Sequence, residues 1–427
     1  MRYSFFHSSK MDESLVVESE IFVPDYYTRW MGLKGIFIVK DAAVDMKLEQ
    51  AWMELAEQES LILVLVSKAG GQWQEGDGLP VFNYIQERAS WISGGYGILS
   101  SYRYVAGVGL GCIAVREIME SYSNPFARIE LFPEENDFTF EKLWQNIKGF
   151  RKIVYGLRTS EVFPVRDMSH LTKYEARVDG AARTWYAYIP PGEKTKKLPL
   201  VIALHGITNN GEKFMEMTGW DLTAEKNGFA VVTPTGYMNR WNFGQSESYP
   251  SDIQFIQHIL NEIKKECEID EERIYLMGFS MGGAMVHSLQ CELPHTFAAS
   301  ASFSGYLAEK DEDTVVLLKG GNSGKDAYKN KRTDIPRIMW MFYGEEEKPQ
   351  EYPGNLESAR EFWLQVMKCK EDNKTCIRSN GEVEEWAYPG EAGELRIIAQ
   401  KNTGHAIHPE LMEYIYENLF GKSKIVR

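Results

Sequence analysis

The chain has 427 residues, a length that favours two domains, and 44% of them are hydrophobic, which excludes a disordered protein. A net charge of −14 argues against a nucleic-acid partner, because surfaces that bind DNA or RNA carry a basic field. No stretch approaches the ~20 apolar residues of a membrane span, and the N-terminal residues lack the apolar core of a signal peptide.

Five cysteines, an odd number spread along the chain, indicate a reducing compartment, so we expect a cytoplasmic protein. The cysteines and histidines do not have the spacing of a zinc site, and the sequence predicts neither a metal nor a cofactor. The sequence leaves the oligomeric state open.

The first half of the chain alternates predicted strands with predicted helices. Continuous apolar runs at 35–40 and 61–66 are typical of strands that are buried on both faces of a parallel sheet. Residues 52–59 and 81–92 have helical periodicity, and YRYVAGVG at 102–109 predicts another strand. Strands that alternate with helices predict a doubly wound α/β fold with a mostly parallel sheet.

These elements return in the second half of the chain in the same order. Residues 82–132 align without gaps on residues 253–303, where eleven of fifty-one positions are identical, and residues 52–76 align on residues 220–244. Two pairs of tryptophans and the glycines of one turn are among the matches. Chance similarity between two α/β segments is the alternative, but the preserved order favours a duplication.

The two copies diverge after residue 135. Residues 173–192 then predict a β-hairpin that begins a second domain. We place the boundary near 160–170, with a smaller first domain at 1–165 and a larger second domain at 166–427.

The sequence GFSMG at 278–282 lies between a predicted strand and an apolar helix. In this strand–turn–helix context a G-x-S-x-G sequence forms the nucleophile turn of a hydrolase. Ser280 would project its hydroxyl into the site, while Gly278 and Gly282 prevent a clash between strand and helix. The N–H of Met281, at the start of the helix, would face a developing oxyanion.

The loop LHGITNN at 204–210 follows the first apolar strand of the second copy. In hydrolases with this arrangement, the corresponding loop donates the second oxyanion N–H, which we assign to Ile207. His205 is expected to brace the loop rather than to react. We assign Trp241 to substrate binding.

A general base must follow the serine along the chain. The histidines after Ser280 are His287, His295, His405 and His408. His287 lies seven residues down the helix, where it cannot face back to the turn. His295 fits a capping or surface position, and His408 precedes a proline that suggests a helix start. His405 lies in a glycine-flanked loop between the last predicted strand and the last helix, so we predict that it is the base.

The acid of a Ser–His–acid triad is expected after a strand that lies between the serine and the histidine in sequence. Residues 336–344 predict that strand, and three glutamates follow it. A carboxylate there would orient His405 and stabilise its imidazolium. Glu347 is the first choice, followed by Glu346 and then Glu345.

Residues 183–420 resemble the esterases of the polyhydroxybutyrate depolymerase and feruloyl esterase type, an α/β-hydrolase group. The motifs that carry the resemblance include LHGITNNGEKF, RWNFG, RIYLMGFSMGGAM, FAASASFSG and TGHAIHP. The resemblance implies an α/β-hydrolase fold and cleavage of carboxylic esters through an acyl-enzyme, with Ser280 as nucleophile and His405 as base. The family usually has an aspartate where this chain has Glu347, three residues after Gly344.

The first copy then resembles a degenerate version of the same fold. GVGLG at 107–111 keeps the turn glycines, but Gly109 stands in the place of Ser280, and no histidine lies between His7 and His170. We therefore expect a non-catalytic domain, a pseudoenzyme, which shields the active site, binds part of the substrate or packs as a structural partner.

The predicted function is that of a serine esterase acting on a small-molecule or oligomeric ester, with an aromatic acyl group of the feruloyl type or a short acyl chain. One alternative is a serine peptidase of the prolyl-oligopeptidase type, which shares the fold and the order of the triad and would cleave aminoacyl amides. The other is a binding protein with a vestigial hydrolase fold.

Overall fold

The computed structural model describes residues 2–8, 16–27, 31–44, 46–90, 95–121, 126–154, 160–192, 197–242, 249–307, 335–347 and 356–425. The chain divides into two compact units. The first comprises residues 1–154 and 158–166, and the second comprises residues 155–157 and 167–427. The assignment of two domains with a boundary near 160–170 stays a prediction.

The first unit is built on a six-stranded sheet. Its strands are β1 (Arg2–Ser8), β2 (Val16–Phe22), β3 (Leu33–Lys40), β4 (Leu61–Lys68), β5 (Ile98–Val108) and β6 (Arg128–Phe132). Its helices are α1 (Gln50–Glu59), α2 (Gly78–Ala89), α3 (Gly111–Ser121) and α4 (Phe140–Ile147). A separate antiparallel ribbon is formed by β7 (Phe150–Val154) and β8 (Ser160–Pro164).

The residues of β4 alternate between two apolar cores. Leu61 and Leu63 pack in a core with residues of α1 and α4, whereas Ile62 and Val64 pack in a core with residues of α2 and α3. Because successive side chains of a strand point to opposite faces, a continuous apolar run has to be covered on both. The doubly wound arrangement predicted from these runs is therefore confirmed.

The second unit is built on a ten-stranded sheet. Its strands are β9 (Thr172–Val178), β10 (Ala181–Tyr188), β11 (Leu198–Leu204), β12 (Ala230–Thr235), β13 (Ile269–Phe279), β14 (Ala299–Phe303), β15 (Arg337–Gly344), β16 (Thr375–Ser379), β17 (Val383–Gly390) and β18 (Gly393–Gln400). Its helices are α5 (Gly211–Thr218), α6 (Trp220–Asn227), α7 (Asp252–Glu266), α8 (Met281–Glu292), α9 (Leu356–Val366) and α10 (Leu411–Asn418). The hairpin predicted at 173–192 is β9–β10.

Helix α7 illustrates how the sequence determines where a helix begins and which of its faces is buried. It begins after Ser251, whose hydroxyl accepts a hydrogen bond of 3.2 Å from the N–H of Gln254 and so caps the first turn. Phe255, Ile259 and Ile263 recur every four residues and are all buried against the sheet.

The two sheets share a strand order. The first sheet runs β1-β2-β4-β3-β5-β6, and the second runs β9-β10-β12-β11-β13-β14-β15-β18-β17-β16. In each sheet an antiparallel hairpin is paired antiparallel with its neighbour (β4 or β12), and the next three strands are parallel to that neighbour. The common order supports the duplication, which stays an inference.

The parallel strands of the second sheet bring several loops to one edge. Strands β11, β13, β14, β15 and β18 are successive parallel neighbours, so their carboxyl ends lie along the same edge. The segments that follow them contain Ile207, Ser280, Ser304, Glu347 and His405. This edge is where ligands bind in open α/β sheets.

Candidate active site

Ser280 occupies a strained turn between β13 and α8. Its φ of 55° and ψ of −117° are values that residues with a side chain rarely adopt. The Ser280 N–H donates to the carbonyl of Phe303 at 2.8 Å, which ties the turn to β14. A Cβ at Gly282 would lie 2.3 Å from the Leu204 carbonyl oxygen, and one at Gly278 would lie 2.3 Å from that of Gly282. The turn therefore depends on glycine at both positions.

The structure brings Ser280, His405 and Glu347 together. His405 Nε2 lies 2.8 Å from Ser280 Oγ, and His405 Nδ1 lies 3.2 Å from Glu347 Oε2. Because Nδ1 faces a carboxylate, it carries the ring proton, and Nε2 is left to accept the serine hydroxyl. The side chains of His405 and Glu347 are 22% and 13% exposed and Ser280 is 8% exposed, so the three groups are largely shielded from bulk water.

Glu347 is the glutamate of the three that reaches the histidine. Its other oxygen, Oε1, accepts hydrogen bonds from the Gly344 N–H at 2.8 Å and from the Ser304 hydroxyl at 2.5 Å. Glu345 and Glu346 are exposed, and their backbone N–H groups donate to the carbonyls of Gln400 and Thr403. The backbones of those two glutamates thus fix the loop that carries Glu347.

The other histidines after the serine lie elsewhere. His287 is a fully buried residue of α8, where Trp363 Nε1 donates to its Nδ1 at 2.8 Å and its Nε2 donates to Ser302 Oγ at 3.1 Å. His295 is exposed. His408 is bonded to Thr403 and Glu410 just before α10.

The loop after β11 passes beside Ser280. A Cβ at Gly206 would lie 3.4 Å from the Cβ of Ser280, and Thr208 takes a φ of 67° that turns the chain away from the strand. The Thr208 N–H donates to the Asn239 carbonyl at 3.0 Å. Ile207 lies between these two fixed points and is half-buried. Its assignment to an oxyanion hole, with Met281, stays a prediction.

His205 braces this loop from beneath. It is fully buried, its Nε2 accepts the Gly236 N–H at 3.0 Å, and its Nδ1 donates to the Gly206 carbonyl at 2.7 Å. Burial lowers the pKa of His205 to about 4. A neutral histidine with both ring nitrogens bonded to backbone groups fits the bracing role expected from the sequence.

The assignment of Trp241 to substrate binding needs correction. Trp241 is 1% exposed, its ring lies 4.9 Å from that of His205, and its Nε1 donates to the His205 carbonyl at 2.7 Å. A side chain enclosed in the core has no surface to offer a ligand. The sequence shows that an aromatic residue lies near the site. Because Trp241 is buried and bonded to the His205 carbonyl, it stabilises the loop and does not face a ligand.

The first unit contains a turn with a similar φ and a matching backbone hydrogen bond. Gly109 has a φ of 58°, and its N–H donates to the Phe132 carbonyl at 2.9 Å, as the Ser280 N–H does to Phe303. Trp73 Nε1 donates to the Lys40 carbonyl at 2.7 Å, which parallels the bond from Trp241. The backbone framework of the nucleophile turn is present there without a hydroxyl.

A cavity of about 470 Å³ lies away from the triad. It is lined by residues of α7, by Glu271 and Ile274 in the first half of β13, and by His295 and Thr296. None of these residues belongs to the Ser280 turn, which follows the other end of β13.

Within the described part of the chain, no group of three His, Cys, Asp or Glu residues is arranged to hold a metal ion. In the same residues no helix has the length and apolar character needed to cross a membrane.

The fold and this edge of the sheet define a class of protein. A strained serine lies between a parallel strand and a helix, and an acid after β15 and a histidine after β18 follow it in sequence. This order and geometry are those of an α/β-hydrolase. Residues 184–320 match the family model described as Esterase PHB depolymerase, which confirms the resemblance found in the sequence.

Named relatives point to the same group. The chain is 34% identical over 131 residues to the bifunctional acetylxylan esterase/xylanase XynS20E of Neocallimastix patriciarum, which covers 30% of this chain and 19% of that protein. It is 30% identical over 152 residues to feruloyl esterase B of Piromyces equi, which covers 30% of this chain and 28% of that protein. The chain thus spans less than a third of either relative.

Among solved structures, the acetyl xylan esterase from Aspergillus awamori aligns with 58% of this chain and 99% of its own. The TM-score is 0.43 and the sequence identity is 16%. At these values the likeness adds nothing to the fold assignment, which the strand order and the serine turn define.

The two buried histidines predict how stability depends on pH. Burial lowers the pKa of His205 to about 4 and that of His287 to about 3, from an ordinary value of 6.5. Below pH 6.5 these histidines therefore bind protons in the unfolded chain but not in the folded chain. The free energy of unfolding thus falls as the pH drops towards the pKa values of the folded state. Each histidine contributes up to about 1.4 kcal/mol per pH unit in this window.

The measurement is the free energy of unfolding from urea titrations at about pH 7, 6 and 5, which cover the upper part of the window in which stability should fall. His287→Gln keeps one donor and one acceptor but does not titrate, so its loss of stability with falling pH should be shallower. His295→Gln, at an exposed position, serves as the control and should follow the wild type. Equal slopes for wild type and His287→Gln would contradict the neutral, buried state of His287.

Proposed function

We propose that the protein is a serine esterase that hydrolyses carboxylic esters through an acyl-enzyme, with Ser280, His405 and Glu347 as its triad. The observation that carries the proposal is the continuous chain of hydrogen bonds from Ser280 Oγ to His405 Nε2 (2.8 Å) and from His405 Nδ1 to Glu347 (3.2 Å). The match of residues 184–320 to an esterase family supports it independently.

In the first step His405 Nε2 takes the proton of the Ser280 hydroxyl while Oγ attacks the ester carbonyl. The carbonyl oxygen becomes an oxyanion, which the N–H groups of Met281 and Ile207 stabilise. Met281 is the first residue of α8, where backbone N–H groups have no acceptor within the helix. Glu347 keeps the histidine in the correct tautomer and stabilises the imidazolium.

The tetrahedral intermediate then collapses. The bond to the alcohol oxygen breaks, and His405 gives its proton to that oxygen, so that the alcohol leaves and Ser280 carries the acyl group. Water attacks the acyl-enzyme with His405 again as base, and the second collapse releases the carboxylic acid and restores the serine hydroxyl. No step requires a cofactor.

For the substrate we propose an ester with an aromatic acyl group of the feruloyl type or a short acyl chain. Relatives named acetylxylan esterase and feruloyl esterase support these two classes. A panel of esters that varies acyl length and aromaticity, with Ser280→Ala as the blank, decides between them. Aminoacyl amides belong in the same panel, because their efficient cleavage would favour a peptidase over an esterase.

The first unit is proposed to be non-catalytic. The shared strand order and the retained turn at Gly109 support descent from a hydrolase fold, and the missing hydroxyl argues against a second nucleophile. We infer that it is retained for contacts, with the substrate or with another part of the protein. The cytoplasmic location stays a prediction.

Replacement of Ser280 or His405 by alanine should remove nearly all esterase activity while the fold survives. Members of a triad act as a unit, so either change alone should lower kcat by on the order of 10⁴-fold or more. The check is kcat on the best ester of the panel, with circular dichroism to establish folding. Substantial turnover by folded Ser280→Ala would contradict the proposed nucleophile.

When Glu345, Glu346 and Glu347 are changed one at a time to glutamine, we expect kcat to fall strongly at one position only. Glu347→Gln should lower kcat by on the order of 10³-fold or more, because an amide cannot hold the histidine tautomer or stabilise an imidazolium as a carboxylate does. The two exposed glutamates are matched controls on the same loop and should stay near the wild type. Small and equal losses at all three positions would place the acid elsewhere.

Gly109→Ser should not create a second active site. The backbone there already has the φ of the Ser280 turn, at a cost of ~1–2 kcal/mol for a residue with a side chain. The new hydroxyl would lack a histidine base, since none lies between His7 and His170. The test is to combine Gly109→Ser with Ser280→Ala, treat the protein with a fluorophosphonate and locate any adduct by mass spectrometry.

Wild type, labelled on Ser280, and Ser280→Ala alone, unlabelled, are the controls for that experiment. Stoichiometric labelling of the introduced serine would show that the first unit retains a working site, and its non-catalytic assignment would have to be abandoned.

A further inference from the structure

The triad acid has a partner that is not part of the triad. Ser304, the residue after β14, donates its hydroxyl to Glu347 Oε1 at 2.5 Å. Its own N–H donates to the Phe342 carbonyl on β15 at 2.7 Å, so the hydroxyl is presented from a fixed backbone. We propose that Ser304 is a positioning residue for the esterase reaction, acting on His405 through Glu347. The inference rests on the proposed function.

A glutamate in the acid position needs more restraint than an aspartate. Its side chain has one more methylene group and one more rotatable bond, so more conformations must be excluded to hold one oxygen against the histidine. Here the Gly344 N–H and the Ser304 hydroxyl both donate to Oε1, at 2.8 and 2.5 Å. That arrangement leaves Oε2 for His405 Nδ1 and resists rotation of the carboxylate.

The backbone at Ser304 indicates that the hydroxyl is needed. Ser304 has a φ of 49°, a left-handed conformation that glycine adopts without cost and a serine does not. The next residue is Gly305, where a Cβ would lie 2.1 Å from Ser302 Oγ, so space forbids a side chain there. Position 304 therefore carries a serine although its backbone conformation would favour glycine. Backbone strain of this kind is concentrated at functional sites.

The first test replaces the hydroxyl without disturbing the backbone. Ser304→Gly removes the donor and suits the positive φ, so the melting temperature should be unchanged or higher. The expected result with p-nitrophenyl acetate is a fall in kcat of about tenfold with KM within about twofold, since a hydrogen bond to a charged acceptor is lost and substrate contacts are kept. Ser304→Ala should show the same loss in kcat.

Ser60 provides a matched control. It is a half-exposed serine with a φ of 58° in the first unit, at the end of α1. Ser60→Gly makes the same chemical change at a similar backbone conformation, and it should leave kcat and KM unchanged. A loss of kcat in Ser304→Gly but not in Ser60→Gly separates the role of the hydroxyl from the effect of a serine-to-glycine change.

The second test is a double-mutant cycle with Glu347→Ala. If Ser304 acts through Glu347, then Ser304→Gly should lower the residual kcat by less than about twofold in the Glu347→Ala background, against about tenfold in the wild type. Equal losses in both backgrounds, or full kcat in folded Ser304→Gly, would overturn the positioning role while the triad stands. Absence of turnover and of fluorophosphonate labelling at Ser280 in the wild type would instead overturn the proposed function and the positioning role with it.

Discussion

The close approach of α8 to the ends of β11 and β13 is the constraint on which the site depends. A helix can begin this near to the strands only if no side chains intervene, and Cβ atoms at Gly278 and Gly282 would lie 2.3 Å from backbone carbonyl oxygens. The consequence is the tight turn that forces Ser280 to a φ of 55° and leaves its hydroxyl beside the histidine loop. Packing alone thus places Ser280, the proposed nucleophile, and its polar partners act on a side chain that is already in position.

The first unit meets the packing requirement of the turn but lacks the hydroxyl that the chemistry requires. A Cβ at Gly111 would lie 2.0 Å from the Val39 carbonyl oxygen, so the helix approaches the sheet as closely there as α8 does in the second unit. Gly109 meets the backbone requirement of the turn with a φ of 58° and without a hydroxyl. The glycines of a G-x-S-x-G sequence therefore indicate a fold feature, and the chemistry depends on the central residue and on the loops opposite it.

The parts of the site that depend on chain order could be predicted from the sequence. The strand–turn–helix around Ser280 has a local pattern, and the order of serine, acid and histidine limits the other two positions to the loops after β15 and β18. What sequence could not supply was the direction of each side chain. Trp241 lies near the site in sequence yet is enclosed in the core, and Ser304 belongs to the motif FAASASFSG without any sign there that its hydroxyl contacts Glu347, which follows the neighbouring strand.

The histidines of the second unit differ in whether their surroundings allow them to gain and release a proton. His205 and His287 are fully buried with both ring nitrogens bonded, and burial holds their pKa values at about 4 and about 3, so they remain neutral hydrogen-bonding parts of the framework. A base must instead gain a proton and then release it, which requires an adjacent carboxylate and access to the reacting group. Of the histidines that follow Ser280, the structure gives His405 both, because the loop after β18 lies beside the loop after β15 that carries Glu347.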